Sequence, residues 1–178
     1  GTSRESTILL DKEGWFVHDG VRVENPKLAE ALHSWITRHP DNGRYILTNG
    51  YDWTYFTVED TPFFVQSIQI EQENVWLVLS NGMRLPWEGD QVSVSSLGAL
   101  YTPVTLPQGT FEAKFSRFAQ TQLEPLLVEK DGQIGIQIHN QIIVPKKKNS
   151  ENILPEEKNK CKYFCWREYM KRLIDKLH

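Results

Sequence analysis

Glu59 and Asp60 are adjacent carboxylates just ahead of Thr61-Pro62, and His18 lies about forty residues upstream beside Asp19-Gly20. These are the residue types of an acid/base pair: carboxylates to hold a proton and an imidazole that titrates near neutrality. Neighbours at a strand end point to opposite faces, so Glu59 and Asp60 do not easily share one substrate. The plainer reading has Asp60 accept turn N–H groups before Thr61-Pro62, with His18 in a buried hydrogen bond to a carboxylate. The sharper readings put His18 at a ligand contact, or pair it with Glu59 or Asp60 in a small-molecule enzyme of unrecognised type. The chain has no Gly-x-Ser-x-Gly elbow, phosphate-binding glycine loop, His-Glu-x-x-His helix or dinucleotide fingerprint. It therefore reads as a non-enzymatic binding or regulatory protein. Cys161 and Cys165 stand four apart, but His178 follows thirteen residues later with no second histidine, so no metal site and no cofactor are expected.

The elements that must carry these residues are legible in part. Trp15 to Val17 and Val21 to Val23 flank His18-Asp19-Gly20, a hairpin signal. Asn25-Pro26 offers an N-cap and a first-turn proline, and Leu28, Leu32, Trp35 and Ile36 follow at i, i+4, i+7 and i+8, which predicts an amphipathic helix from Leu28 to Ile36. Breakers at His39 to Gly43 end it. Strands are expected at Arg44 to Thr48 and Trp53 to Val58, joined through Asn49-Gly50. Beyond Pro62, Phe64, Ile68 and Ile70 share one strand face, and Val75 to Leu79 reads as a strand buried on both sides, leading through Asn81-Gly82 into Met83 to Leu85. Short strands are expected at Val92 to Val94 and Ala99 to Val104. Phe111, Phe115, Phe118 and Ala119 predict a second amphipathic helix that Pro125 must kink or end. Ile134, Ile136 and Ile138 alternate into a His139-Asn140 turn and Ile142 to Val144. Trp15, Trp35, Trp53, Trp76 and Trp87 read as core residues, with Trp53 and Trp87 partly exposed.

The fold class is α+β, mostly antiparallel sheet with one amphipathic helix in each half and an extra helix at the C-terminus. Each half has leading strands, a helix, an Asp/Asn-Gly breaker and a closing hairpin, which suggests structural duplication. The expected boundaries are 7–61 for the N-terminal subdomain, 62–144 for the C-terminal subdomain, 145–160 for a linker and 161–178 for the last helix.

Trp15, Phe16, His18 and Gly20, then the helix from Leu28 to Ile36, then Gly43 and Tyr45, then Val58, Glu59, Asp60, Pro62 and Phe63 occur in an order that carries a family likeness. Over residues 7–144 the sequence resembles a bacterial family known as the domain-of-unknown-function family numbered twelve eighty-five. The resemblance implies a duplicated α+β fold whose second subdomain is superficially like a pleckstrin-homology barrel. It also implies a cleft between the subdomains and a crossing at Thr61-Pro62, and hints at signal transduction, with no assigned chemistry. On that basis Trp15, His18, Tyr45, Glu59, Asp60 and Phe63 are the candidate residues for a ligand or partner in the cleft. The lysine-rich segment after Val144 departs from the family pattern.

Charge divides along the same line. Residues 1–144 hold 10 Lys+Arg against 18 Asp+Glu, a balance of −8, and 145–178 hold 10 against 5, a balance of +5. An acidic body argues against nucleic-acid binding by its general field, leaving the basic tail as the alternative route. The expected partners are a protein or a small ligand; oligomeric state stays open. Tyr163, Trp166, Met170, Leu173 and Leu177 trace an apolar helical stripe opposed by lysines and arginines, and docking on the body is the plainer use of it. No apolar run approaches the ~20 residues of a membrane span. Two cysteines fit a reducing, cytoplasmic compartment, and a start at Gly1 without methionine leaves an upstream signal peptide open.

Overall fold

The computed structural model describes residues 3–148. The expected C-terminal helix with its Tyr163, Trp166, Met170, Leu173 and Leu177 stripe, the Cys161 and Cys165 pair, and 149–160 of the expected linker lie outside the described residues.

The first half builds two small sheets. Strands β1 (Leu9–Leu10), β2 (Phe16–His18) and β3 (Val21–Arg22) run antiparallel. The β2–β3 hairpin closes on Asp19 (φ 51°) and Gly20 (φ 78°), both left-handed, as a two-residue turn that follows strand twist requires. Helix α1 (Pro26–Ser34) begins where the sequence places it, with the Asn25 side chain accepting from the Leu28 N–H at 3.0 Å. It ends earlier than its periodicity suggests. Ile36 opens β4 (Ile36–Arg38), because β-branched Ile36 and Thr37 find ladder partners in Leu47 and Ile46 of β5 (Tyr45–Thr48). Strand β6 (Trp53–Tyr55) completes the order β4-β5-β6, and β7 (Thr57–Val58) returns to pair parallel with β1, giving β3-β2-β1-β7.

The second half holds the larger sheet: β8 (Phe63–Glu71), β9 (Asn74–Leu79), β10 (Arg84–Pro86), β11 (Ser93–Val94), β12 (Leu100–Leu106) and β13 (Gly109–Phe115). Helix α2 (Arg117–Thr121) follows, then a 3-10 turn at Glu124–Leu126 and a three-stranded sheet of β14 (Leu127–Lys130), β15 (Gln133–Ile138) and β16 (Gln141–Ile143). Last comes β17 (Lys146–Lys147), pairing parallel with β11 to finish the order β10-β9-β8-β13-β12-β11-β17. Within that sheet β8 and β13 are also parallel.

Four expectations change. The predicted second helix is mostly strand β13, since Phe111 and Phe115 at i, i+4 satisfy a period of two as well as 3.6, and buried Ala113 between them fits only the strand. Only Arg117–Thr121 is helical, capped by the Ser116 hydroxyl accepting from the Ala119 N–H, and Phe118 is 62% exposed. Strand β9 buries one face, with Val75, Leu77 and Leu79 inside and Trp76 and Val78 half-buried; the Arg84 guanidinium lies 3.9 Å over the Trp76 ring. Trp87 is buried and donates to the Thr102 hydroxyl at 3.0 Å, whereas Trp53 is half-buried under Arg4. Lys146–Lys147, which composition assigns to a linker, is held in the sheet by Lys146 N–H to Val92 C=O and Lys148 N–H to Val94 C=O, both 2.9 Å.

The buried side chains form one continuous cluster. It runs from Leu10, Phe16, Ile36 and Phe56 of the first half through Phe63, Phe111 and Phe115 to Ile134, Ile136 and Ile138. Each large side chain so buried contributes roughly 1.5–3 kcal/mol of transfer free energy. Among the described residues no helix is long and apolar enough to cross a membrane.

Candidate functional site

The site grows from the loop between β1 and β2. Asp11 folds it into an Asx turn: its Oδ1 accepts the N–H of Glu13 and of Trp15, each at 2.9 Å, while the Asp11 N–H donates to Trp15 C=O. Gly14, at φ 94°, presses the loop onto Phe64, where a Cβ would lie 3.3 Å from the ring. The loop therefore presents Lys12, Glu13 and Trp15 from a rigid support. Trp15 is 38% exposed, with the Arg22 guanidinium 4.9 Å from its ring centre.

His33 packs below, edge-on to Phe16 at 4.7 Å and to Phe64 at 6.3 Å. Its Nδ1 is buried without a hydrogen-bond partner. Burial of the charged form lowers its pKa to about 4, opposed in part by a hydrogen bond with the Gly14 backbone. The ring is thus neutral and acts as packing.

Across the boundary, Lys114 of β13 donates to Asp60 Oδ2 at 2.9 Å and to the Lys12 carbonyl at 3.0 Å, with its side chain only 5% exposed. Asp60 also accepts from the Tyr101 hydroxyl at 2.7 Å. Its neighbour Glu59 accepts the Lys12 N–H at 3.0 Å. The two adjacent carboxylates therefore grip the same residue from two sides, Glu59 at the N–H and Asp60 through Lys114 at the C=O. Opposite orientation, which argues against a shared substrate, is what this clamp uses. Lys148 extends the network from the far edge, lying 3.6 Å over the Tyr101 ring and pairing with Glu112.

A groove of about 280 Å³ results, lined by Lys12, Glu13, Trp15, Phe64, Lys114 and Arg117 among others. A second hollow of about 330 Å³ lies beside β12 and β13, lined by residues that include Arg38, Tyr101, Pro103 and Glu112.

Of the residues singled out in the sequence, Trp15 lines the first groove and Glu59 and Asp60 hold its wall. The other three lie elsewhere. His18 is exposed beside its neighbour Asp19 at 3.5 Å, not buried against a carboxylate, because the Asp19-Gly20 turn carries it outward. Tyr45 is half-buried against Phe56 and beneath Arg38, and Phe63 is fully buried against Phe111. Asp60 accepts a side-chain hydroxyl and an ammonium where turn N–H groups were expected. Lys12, Lys114 and Arg117 escape the sequence reading. A helical period across Phe111 to Ala119 hides that Lys114 alternates with Ala113 and Phe115 on a strand, the one signal that would have set it apart. Among the described residues no group of three His, Cys, Asp or Glu side chains is placed to hold a metal ion.

Among the described residues, fold and site together define a strand-rich α+β protein with two short α-helices and a clamped groove where residues 9–58 meet residues 63–147. This is the fold of a DUF1285 family protein from Silicibacter pomeroyi DSS-3, which matches with a TM-score of 0.55 and 15% identity over 82% of each chain. A DUF1285 family protein from Shewanella baltica OS155 matches at 18% identity over 63% of this chain and 85% of its own, with a TM-score of 0.44. No protein-family model and no curated protein matches the sequence.

Proposed function

We propose that the chain is a non-enzymatic binding or regulatory member of the DUF1285 family, taking a small ligand or a short segment of a protein partner in the groove beside Trp15. The fold likeness and the motif order in the sequence support the family; the groove supports the binding role. One observation carries it: a part-exposed tryptophan and a buried ammonium share one concave wall, and that wall is fixed by Asp11, Gly14, Glu59 and Asp60. Pre-formed hollows with an apolar face and a few placed polar groups are where small molecules bind. The reading keeps residues 7–61 and 62–144 as related subdomains, the second like a pleckstrin-homology barrel. In its favour, the sheets of β1 to β7 and those of β8 to β17 share no strand. A role in signalling is the regulatory form of the same proposal.

The competing enzyme would need His18 to meet Glu59 or Asp60. Their partners are instead Asp19 for His18, the Lys12 N–H for Glu59, and Tyr101 and Lys114 for Asp60. Mass spectrometry of what copurifies with the native protein tests the binding role. A small molecule or partner retained by the wild type and lost from Trp15→Ala is the expected result. Retention that is indifferent to both Trp15→Ala and Arg117→Ala would remove the groove from consideration.

A further inference from the structure

We infer that the open edge of β8 at Ile68 to Ile70 is a docking site for an extended segment of a partner protein, which adds to the large sheet as a further strand. β13 accompanies β8 only as far as Val65 and then gives way to α2. Beyond that point β8 keeps one neighbour, β9, with Ile68 opposite Leu77 and Ile70 opposite Val75. The bonds on either side fix where the backbone groups point. Val75 C=O accepts the Trp87 N–H and Leu79 N–H donates to Met83 C=O, so Val75, Leu77 and Leu79 turn their N–H and C=O toward β10. Ile68 and Ile70, directly opposite in the antiparallel ladder, therefore turn theirs away from β9. Gln122 Oε1 accepts the outward Ile68 N–H at 2.8 Å. Among the described residues nothing engages the C=O of Ile68 or the N–H and C=O of Ile70.

These groups face a groove of about 610 Å³, lined by Ile68, Ile70, Thr121, Gln122, Glu124 and Pro125. Phe118 lies one turn before Thr121 and Gln122 on the same side of α2, and both it and Ile70 are exposed. Water can satisfy the free amide groups, but it leaves the isoleucine and the phenylalanine beside them unburied; an apolar strand would serve both. Sheet edges that stay open to water are ordinarily blunted by lysine or proline. The two outer strands of this sheet follow that rule, β10 ending in Pro86 and β17 being Lys146–Lys147. Residues 66–71 of β8 contain neither. The facing wall of α2 and the 3-10 turn makes the site a groove, which suits a lone strand better than the edge of a second sheet. Its one charged lining residue is Glu124, which has no ion pair among the described residues and lies on a body of balance −8. The segment is therefore extended, apolar at the alternate residues that meet Ile70 and Phe118, and carries a Lys or Arg for Glu124.

The test selects random peptides displayed on phage against the full chain, then titrates the enriched peptides, fluorescently tagged, by anisotropy. Peptides with alternating apolar residues and a cation are expected, and in the nitrogen-15-labelled chain they should shift the Ile70 amide and slow its hydrogen exchange. Ile70→Pro removes the outward N–H without touching the ladder to β9 and should weaken binding roughly tenfold, whereas Ile70→Val, which keeps that N–H, should change it less than about threefold. Glu124→Lys should weaken cationic peptides by roughly threefold or more. If Ile70→Pro fails to fold, the surface change Phe118→Ser supplies the comparison, with weakening of roughly threefold or more expected. No enriched peptide, or enriched peptides indifferent to both Ile70→Pro and Phe118→Ser, would overturn the proposal. An Ile70 amide already protected from exchange in the free chain would overturn it too: the edge is then taken by residues 149–178 or, where sizing shows a dimer, by a second copy.

Discussion

Lys114 links the two halves of the molecule, because one ammonium satisfies a carboxylate and a backbone carbonyl from the other half. Removing the carboxylate takes the opposing charge from an ammonium that has little access to water. Asp60→Ala is therefore expected to cost about 2–4 kcal/mol in urea unfolding. A double-mutant cycle with Lys114→Met should show a coupling of about 1 kcal/mol or more. His33 gives a second test at this scale. Its folded-state pKa of about 4 lies below the ordinary 6.5, so the neutral ring stabilises the fold fully above pH 6.5 and progressively less as pH falls toward 4. The difference amounts to about 3 kcal/mol, and His33→Leu should lose that much less stability than the wild type between pH 7 and pH 4. Neither residue was legible beforehand. His33 lies one position off the helical stripe of Leu32 and Ile36, and it is buried by distant partners, Phe16, Phe64 and the Gly14 backbone.

Among the elements, those defined by turn chemistry or strict alternation are readable from the sequence: the Asp19-Gly20 hairpin, the Asn25 cap and the Ile134, Ile136, Ile138 strand. Elements that depend on a distant partner are not. Two-residue β7 is a strand only through its pairing with β1, almost fifty residues away, and β17 only through its pairing with β11. The consequence of β17 is measurable by two truncations. A chain ending at Val144 loses the Lys146 and Lys148 backbone bonds, the Lys148–Glu112 pair and the cation over Tyr101. It should melt several degrees lower than a chain ending at Lys148, because 1–2 kcal/mol shifts a domain of this size by a few degrees. Equal melting temperatures would show that β17 adds nothing to the sheet. Gly14→Ala tests the loop in the same way. The left-handed φ and the 3.3 Å approach to Phe64 should make it cost about 1–2 kcal/mol by denaturant titration.

At the scale of the whole molecule, charge was the most legible property and the boundary groove the least. The −8 balance of residues 1–144 follows from counting, whereas the convergence of Lys12, Lys114 and Arg117 needs the parallel pairing of β8 with β13. A chain ending at Lys148 should show negligible anisotropy change with mixed-sequence DNA or RNA at physiological salt, since too few cations cluster to displace counterions. Salt-sensitive binding by that truncated chain would contradict it. The clamp also bears on biosynthesis. Lys114 reaches the carbonyl of Lys12 across 102 residues, so during translation the loop that carries Trp15 lacks this half of its clamp until β13 has left the ribosome. Sheets of the first half can pair early, but the groove is completed only by late, non-local closure, which is slow. Nascent chains stalled before Lys114 is exposed should be cut by protease at the Lys12–Glu13 loop, and chains stalled well beyond it should resist.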